Sequence, residues 1–142
     1  MNEDDVSPPP PPGYGDAGPS GPFLTENGPL FLKFEEGPFT EQCFFVRKRH
    51  VNTKGMLHGG MIATFMDSVL ARTVLAGAEG QFVTVHLATS FLAVAKQGEW
   101  VYGEGRVVRA TPDLIFADAR AYVDSKDIAR ATGIFKVLRR RA

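Results

Sequence analysis

The chain is poor in cysteine, with a single one, Cys43, and it has no excess of either charge: 16 Lys and Arg balance 16 Asp and Glu. One cysteine excludes an internal disulfide and suits a reducing compartment. A formal charge of zero leaves no basic footprint of the kind a nucleic-acid binder carries. No apolar run approaches the ~20 residues that span a bilayer. The opening Met1-Asn2-Glu3-Asp4-Asp5, acidic and followed by prolines, is the wrong chemistry for a signal or transit peptide. The expectation is a soluble, cytoplasmic protein with neither a nucleic-acid nor a membrane partner. At 142 residues it fits one domain with a real core.

What is present is unevenly spread. Residues 1–22, including "SPPPPPPGYGDAGPSGP", have too little apolar surface to offset the entropy of ordering them. A proline run can serve an aromatic-grooved partner, but that pattern is common by chance, and the composition favours a plain disordered or poorly ordered extension. A disordered tail over 1–22 and one folded domain over 23–142 are therefore expected. In the domain, "LFLKFEE" and "EQCFFVRKRH" look like two strands joined across Gly37-Pro38. Phe44 and Val46 share one face of the second strand, and Cys43 and Phe45 the other. Cys43, among phenylalanines, reads as a small buried hydrophobe with no metal to bind.

A long helix follows over about Gly59–Ala76, with Gly77 suited to a left-handed cap. Its apolar residues fall on most sides of the wheel, so it is expected to be buried nearly all round. The remainder reads as strands. In "QFVTVHLATSFLAVA", Val83, Val85 and Leu87 alternate with Thr84 and His86. "GEWVYGEGRVVRA", "LIFADARAYV" and "IARATGIFKVL" follow, with turns at Gln97-Gly98, Thr111-Pro112-Asp113 and Asp124–Asp127. Ala117, Ala119 and Ala121 line one side of the third of these strands, and Ala129, Ala131 and Gly133 one side of the last. Such small residues let a helix approach closely. The order predicts an α+β fold: an antiparallel β-sheet wrapped around one long central helix.

One carboxylate, Asp67, interrupts the apolar helix, and burying it unpaired would cost several kcal/mol, roughly. Ala63 and Ala71 lie one turn either side and leave room beside it. A lone Asp here is explained by a hydrogen bond from Thr64 or from a strand. It is not alone, because "NTKGMLHGG" supplies Asn52, Gly55, His58, Gly59 and Gly60 just upstream. The glycine pair opens the helix, where N–H groups are unpaired and the dipole end is positive. That is the geometry of an oxyanion hole, although an ordinary helix start fits the local sequence too. Gly59 and Asp67 are separated by eight positions, or about 12 Å of helix, too far to act on one carbonyl carbon. If both are catalytic, the site takes Asn52, His58 and Gly59 from one chain and Asp67 from a twofold mate.

The run "NTKGMLHGGMIATFMD" resembles the hotdog-fold acyl-CoA thioesterases of the phenylacetate-pathway type. Their pattern is Asn, then Gly, then His-Gly-Gly, then an acidic residue on the helix, and Asn52, Gly55, His58-Gly59-Gly60 and Asp67 match it. The likeness extends from about Pro29 to Leu138; the proline common after the family's long strand is replaced here by Val94-Ala95. The resemblance implies a hotdog fold that dimerises through edge strands, with tetramers common. It implies a thioesterase acting on an acyl- or aryl-acyl-CoA, with CoA as part of the substrate and no cofactor or metal. The Gly59 N–H would polarise the thioester carbonyl. Asp67 of the partner chain would activate water or attack directly. Asn52 and His58 would hold water or orient the thioester, and Thr84 would assist Asp67. Gly60, Met61 and Phe65 would contact the acyl group, and Arg106 and Arg109, with Arg130 and Arg139–Arg141 as further candidates, the CoA phosphates. His50 and His86 match no role and are expected to be structural or surface residues.

Two other readings stand beside it. A hotdog dehydratase or hydratase also pairs a His with a carboxylate across a dimer, but its motifs place the groups differently. A non-catalytic acyl-CoA-binding dimer would keep the fold without needing Asn52, His58, Gly59 and Asp67 together.

Overall fold

A computed structural model of the chain describes residues 6–16, 18, 20–34, 41–78 and 80–138. Its elements run β1 (Tyr14–Asp16), α1 (Gly21–Asn27), β2 (Phe31–Lys33), β3 (Glu41–Phe45), α2 (Gly59–Gly77), β4 (Gln81–Phe91), β5 (Trp100–Ala110), β6 (Leu114–Val123) and β7 (Lys126–Leu138). The strands form one antiparallel seven-stranded sheet in the order β1-β2-β3-β5-β6-β7-β4. The sheet curls around α2, as the small-residue stripe requires. Ala117 pairs with Gly133, Ala119 with Ala131 and Ala121 with Ala129, and all six are buried. A methyl group on Gly103 would sit 2.7 Å from the Phe65 ring, and one on Gly133 2.9 Å from Leu70. These two glycines set how closely the helix can lie on the sheet. Phe65 stacks at a tilt on Phe44 with ring centres 4.7 Å apart, and Val69, Leu70 and Val74 continue the core along α2. This is the expected hotdog fold.

Several local expectations change. Tyr14–Asp16, assigned from composition to a disordered tail, pairs with β2, and Gly21–Asn27 is helical across the expected domain boundary. Backbone pairing to Phe31–Lys33 and edge-to-face packing of Tyr14 on Tyr102 supply the contacts that composition alone does not show. The Gly37-Pro38 turn lies outside the described residues. Gly77 is not a left-handed cap: α2 runs through it, and Ala78 leaves in extended geometry. Val85 occupies an irregularity between Thr84 and His86 that reverses the alternation of β4. Val83 and Val85 share an exposed face, at 44% and 53%, opposite the half-buried Thr84; past the irregularity Leu87 takes the half-buried side and His86 is exposed. Cys43 is fully buried, and burial pushes its thiol up to about 12, which fits the inert hydrophobe expected. Among the described residues no helix is long and apolar enough to cross a membrane.

Candidate active site

The loop before α2 is built by its own short-range bonds. Asn52 Oδ1 accepts from the N–H groups of Lys54 (2.9 Å) and Met56 (3.2 Å), and the Gly55 N–H donates to the Asn52 carbonyl (3.0 Å). Gly55 makes this turn at φ +75°, a conformation that favours glycine. Val51 and Leu57 bridge across the loop, so its exit into α2 is fixed. At the helix start, His58 Nδ1 accepts from the Gly60 N–H at 2.8 Å. An acceptor Nδ1 places the proton of the neutral imidazole on Nε2. The N–H groups of Met61 and Ile62 both donate to the His58 carbonyl, at 3.0 and 3.1 Å.

That arrangement leaves one donor over. Among the described residues the Gly59 N–H has no acceptor, at the positive end of a 19-residue helix. Glycine also keeps the approach clear. A Cβ there would already touch the Phe91 ring at 3.4 Å. Asn52 and His58, expected to meet substrate, spend one side-chain atom each on building this end of the helix. The Asn52 Nδ2 and the His58 Nε2 have no hydrogen-bond partner among the described residues.

Asp67 is half-buried, more accessible than an apolar helix first suggests. Its Oδ1 accepts from Thr84 Oγ1 at 2.8 Å, the strand residue singled out from sequence. Thr64, the other candidate donor, turns back to the Gly60 carbonyl at 2.9 Å. Oδ2 has no hydrogen-bond partner among the described residues, and Asp67 borders a cavity of about 450 Å³. Ala63 and Ala71 leave that space beside the carboxylate, and Leu75 and Leu87 extend its apolar wall. One oxygen is anchored and the other is accessible, which is how a general base or a carboxylate nucleophile is held.

The other expected site residues divide. Gly60 and Met61 line a groove with His58, next to the Asp67 cavity. Phe65 does not face the substrate space; it is fully buried on Phe44, because α2 turns this side to the sheet. Arg106 lies exposed on the outer sheet face, 3.4 Å from Asp118, and Arg109 lies on the same strand opposite Phe116. Neither lines the Asp67 cavity or the His58 groove within one chain.

Sequence reasoning missed α1, which adds Phe23 and Leu24 to the cavity. This short helix has no fully buried residue and is held largely through its last carbonyls. The Arg47 guanidinium donates to the Gly28 carbonyl, Arg49 Nη1 to that of Glu26 at 2.7 Å, and His50 Nε2 meets that of Asn27 at 2.7 Å. His50 Nδ1 accepts from the Arg47 N–H at 3.0 Å, so Nε2 carries the proton given to Asn27. His50 is thus a buried structural residue, within the expectation for it. The basic run "RKRH" was the one available signal, since cations suit a helix C-terminus.

The family model of the thioesterase superfamily matches residues 54–129, more than half of the chain, from the loop before α2 into β7. The chain belongs to the thioesterase superfamily. Among curated relatives of this thioesterase-superfamily chain, "Putative esterase PA0474" of Pseudomonas aeruginosa is 30% identical over 118 residues, which cover 82% of this chain and 88% of that one. Acyl-coenzyme A thioesterase 13 of Mus musculus is 32% identical over 75 residues, covering 51% of this chain and 52% of its own length. A crystal structure from Ralstonia eutropha, titled a putative thioesterase and phenylacetic acid degradation-related protein, superposes with a TM-score of 0.75 at 24% identity. It covers 85% of this chain and 94% of that one.

Proposed function

We propose that this thioesterase-superfamily chain hydrolyses an acyl-CoA or aryl-acyl-CoA thioester to the free acid and CoA. The observation that carries the reading is Asp67, with Oδ1 held by Thr84, Oδ2 unpaired among the described residues, and a largely apolar cavity beside it. The name of the mouse relative supports coenzyme A as the thiol carrier. Gly59 and Asp67 stand about 12 Å apart along α2, which, with both residues acting on one carbonyl, supports a site shared between two chains. The free edge of β4 suits a twofold mate. This strand pairs with β7 alone among the described residues and exposes Val83, Val85 and Phe91, with the exposed Leu92 just beyond its end. In the resulting dimer, the Gly59 N–H of one chain receives the charge that develops on the thioester oxygen. Asp67 of the other chain takes a proton from water as it attacks the carbonyl carbon, or attacks that carbon itself. The tetrahedral intermediate then expels the CoA thiolate, which is protonated from solvent; after direct attack, water hydrolyses the acyl–Asp67 anhydride so formed, releasing the acid and restoring the carboxylate.

A hydratase reading is less well supported. His58 commits Nδ1 to the Gly60 N–H and keeps its proton on Nε2, so this side chain is a donor and not a base. The test is thiol release from short, long and aromatic acyl-CoAs by the wild-type chain and by Asp67→Asn. The expected result is release by wild type and a loss of roughly 10²- to 10⁴-fold in the variant, with the variant still folded and dimeric. No release from any thioester, with CoA esters still bound, would favour the non-catalytic binding dimer.

A further inference from the structure

α1 calls for an explanation that the core does not give. It buries none of its residues fully, and Leu24 alone of them packs against the core cluster. Phe23 is 64% exposed, an arrangement with little to gain in stability. Yet three side chains from residues 47–50 fix the last carbonyls of this helix and the one after it, and hold it beside Asp67. Phe23 borders both the Asp67 cavity and the His58–Gly60 groove, and Leu24 lines the first. The segment also lies outside residues 54–129, so it is not part of what the superfamily model matches.

The chemistry of the cavity says what such a wall would meet. Two polar side chains beside Asp67 are already spent: Thr64 donates to the Gly60 carbonyl, and Ser68 Oγ donates to Gln42 Oε1 at 3.0 Å. Apart from the two charged residues Asp67 and Arg72, what lines the cavity is apolar: Phe23, Leu24, Ala63, Ala71, Leu75 and Leu87. A volume of about 450 Å³ is far more than an acetyl group fills. We infer that α1 forms the acyl-selecting wall of the site, with Phe23 and Leu24 as specificity-determining residues for an apolar acyl group of medium length or carrying an aryl ring. The inference rests on the thioesterase reading above and adds the substrate class to it. Because the anchoring bonds run to backbone carbonyls, the identities of residues 23 and 24 are free to set the shape of the wall without altering how α1 is held.

The experiment compares kcat/KM for acetyl-, octanoyl- and phenylacetyl-CoA in wild type, Phe23→Ala, Phe23→Leu and Leu24→Ala. Val108→Ala, at an exposed valine on β5, serves as the surface control. Phe23→Ala is expected to lower the preference for the better of the two larger substrates over acetyl-CoA by about tenfold, the effect of a lost apolar contact in a pocket. Phe23→Leu is expected to recover part of it and Val108→Ala to leave the ratio at its wild-type value. An unchanged ratio in both Phe23→Ala and Leu24→Ala overturns the wall, as does an equal fall for all three substrates. Absence of thiol release by wild type would instead remove the thioesterase reading, and the wall with it.

Discussion

The loop that starts α2 and the short helix α1 both border the site, but they are held in opposite ways. Residues 52–60 are bonded largely to one another, through Asn52, Gly55 and His58, while the Leu57 and His58 N–H groups donate to the carbonyls of Ala95 and His50. α1 is tied to residues some twenty positions away, and those bonds end on its backbone carbonyls. Local bonding fixes a geometry by residue identity, so it leaves a motif. Non-local bonding to carbonyls fixes a position without constraining side chains, so it leaves none. The first arrangement suits groups that must meet the reacting atoms, and the second suits a wall whose side chains are free to vary.

The sharpest way to break the first region is Gly59→Pro. Proline is well tolerated at the first helical position, where its missing N–H costs no helical bond. His58 already holds φ −67° and ψ 135°, the extended geometry a residue before proline prefers. The substitution therefore removes the proposed oxyanion donor while keeping the helix, with the exposed Phe91 ring free to yield. A loss of roughly 10²- to 10³-fold in kcat is expected, checked by steady-state thiol release beside a thermal melt. A folded, fully active variant would exclude this N–H from the chemistry.

Next in size is Thr84→Val, which keeps the shape of the side chain and removes the hydroxyl bonded to Asp67 Oδ1. A hydrogen bond to a charged group contributes about 1.5–3 kcal/mol. If it aligns Asp67 for the transition state alone, kcat should fall roughly tenfold or more while KM stays near its wild-type value. A change confined to KM would instead give Thr84 a binding role.

These two regions also mark how far the sequence could be read. The helix, its motif and the alanine stripe under it were legible because each has a short period or a fixed spacing. Thr84 was named through the resemblance, although the irregularity at Val85 parted Leu87 from Val83 and Val85, with which it had been placed on one face. A single residue out of register reverses a strand, and no propensity signals it. Phe65 was expected to shape the acyl pocket, but a nearly uniform apolar wheel does not say which residues of α2 meet the sheet, and Phe65 is one that does. Arg106 was chosen for charge alone, and charge does not choose between sheet faces; the structure sets it on the outer one beside Asp118. α1 and β1 fall in a proline- and glycine-rich stretch whose composition argues for disorder, and their partners lie far along the chain. Composition measures what a segment can bury by itself, not what the rest of the fold brings to it.

The smallest expected effect separates the two functions that Asn52 combines. Its Oδ1 builds the loop, and its Nδ2 has no hydrogen-bond partner among the described residues. Asn52→Ala removes both and should cost about 1–2 kcal/mol of stability for the two lost local bonds. Asn52→Asp keeps an acceptor oxygen for the N–H groups of Lys54 and Met56 and removes only the donor. Its melting temperature should therefore match wild type. If Nδ2 orients the thioester or the attacking water, kcat/KM for the Asp variant falls about tenfold, the size of one lost hydrogen bond in a site. An Asp variant as active as wild type would assign Asn52 wholly to the loop and leave Gly59 and Asp67 to carry the chemistry between two chains.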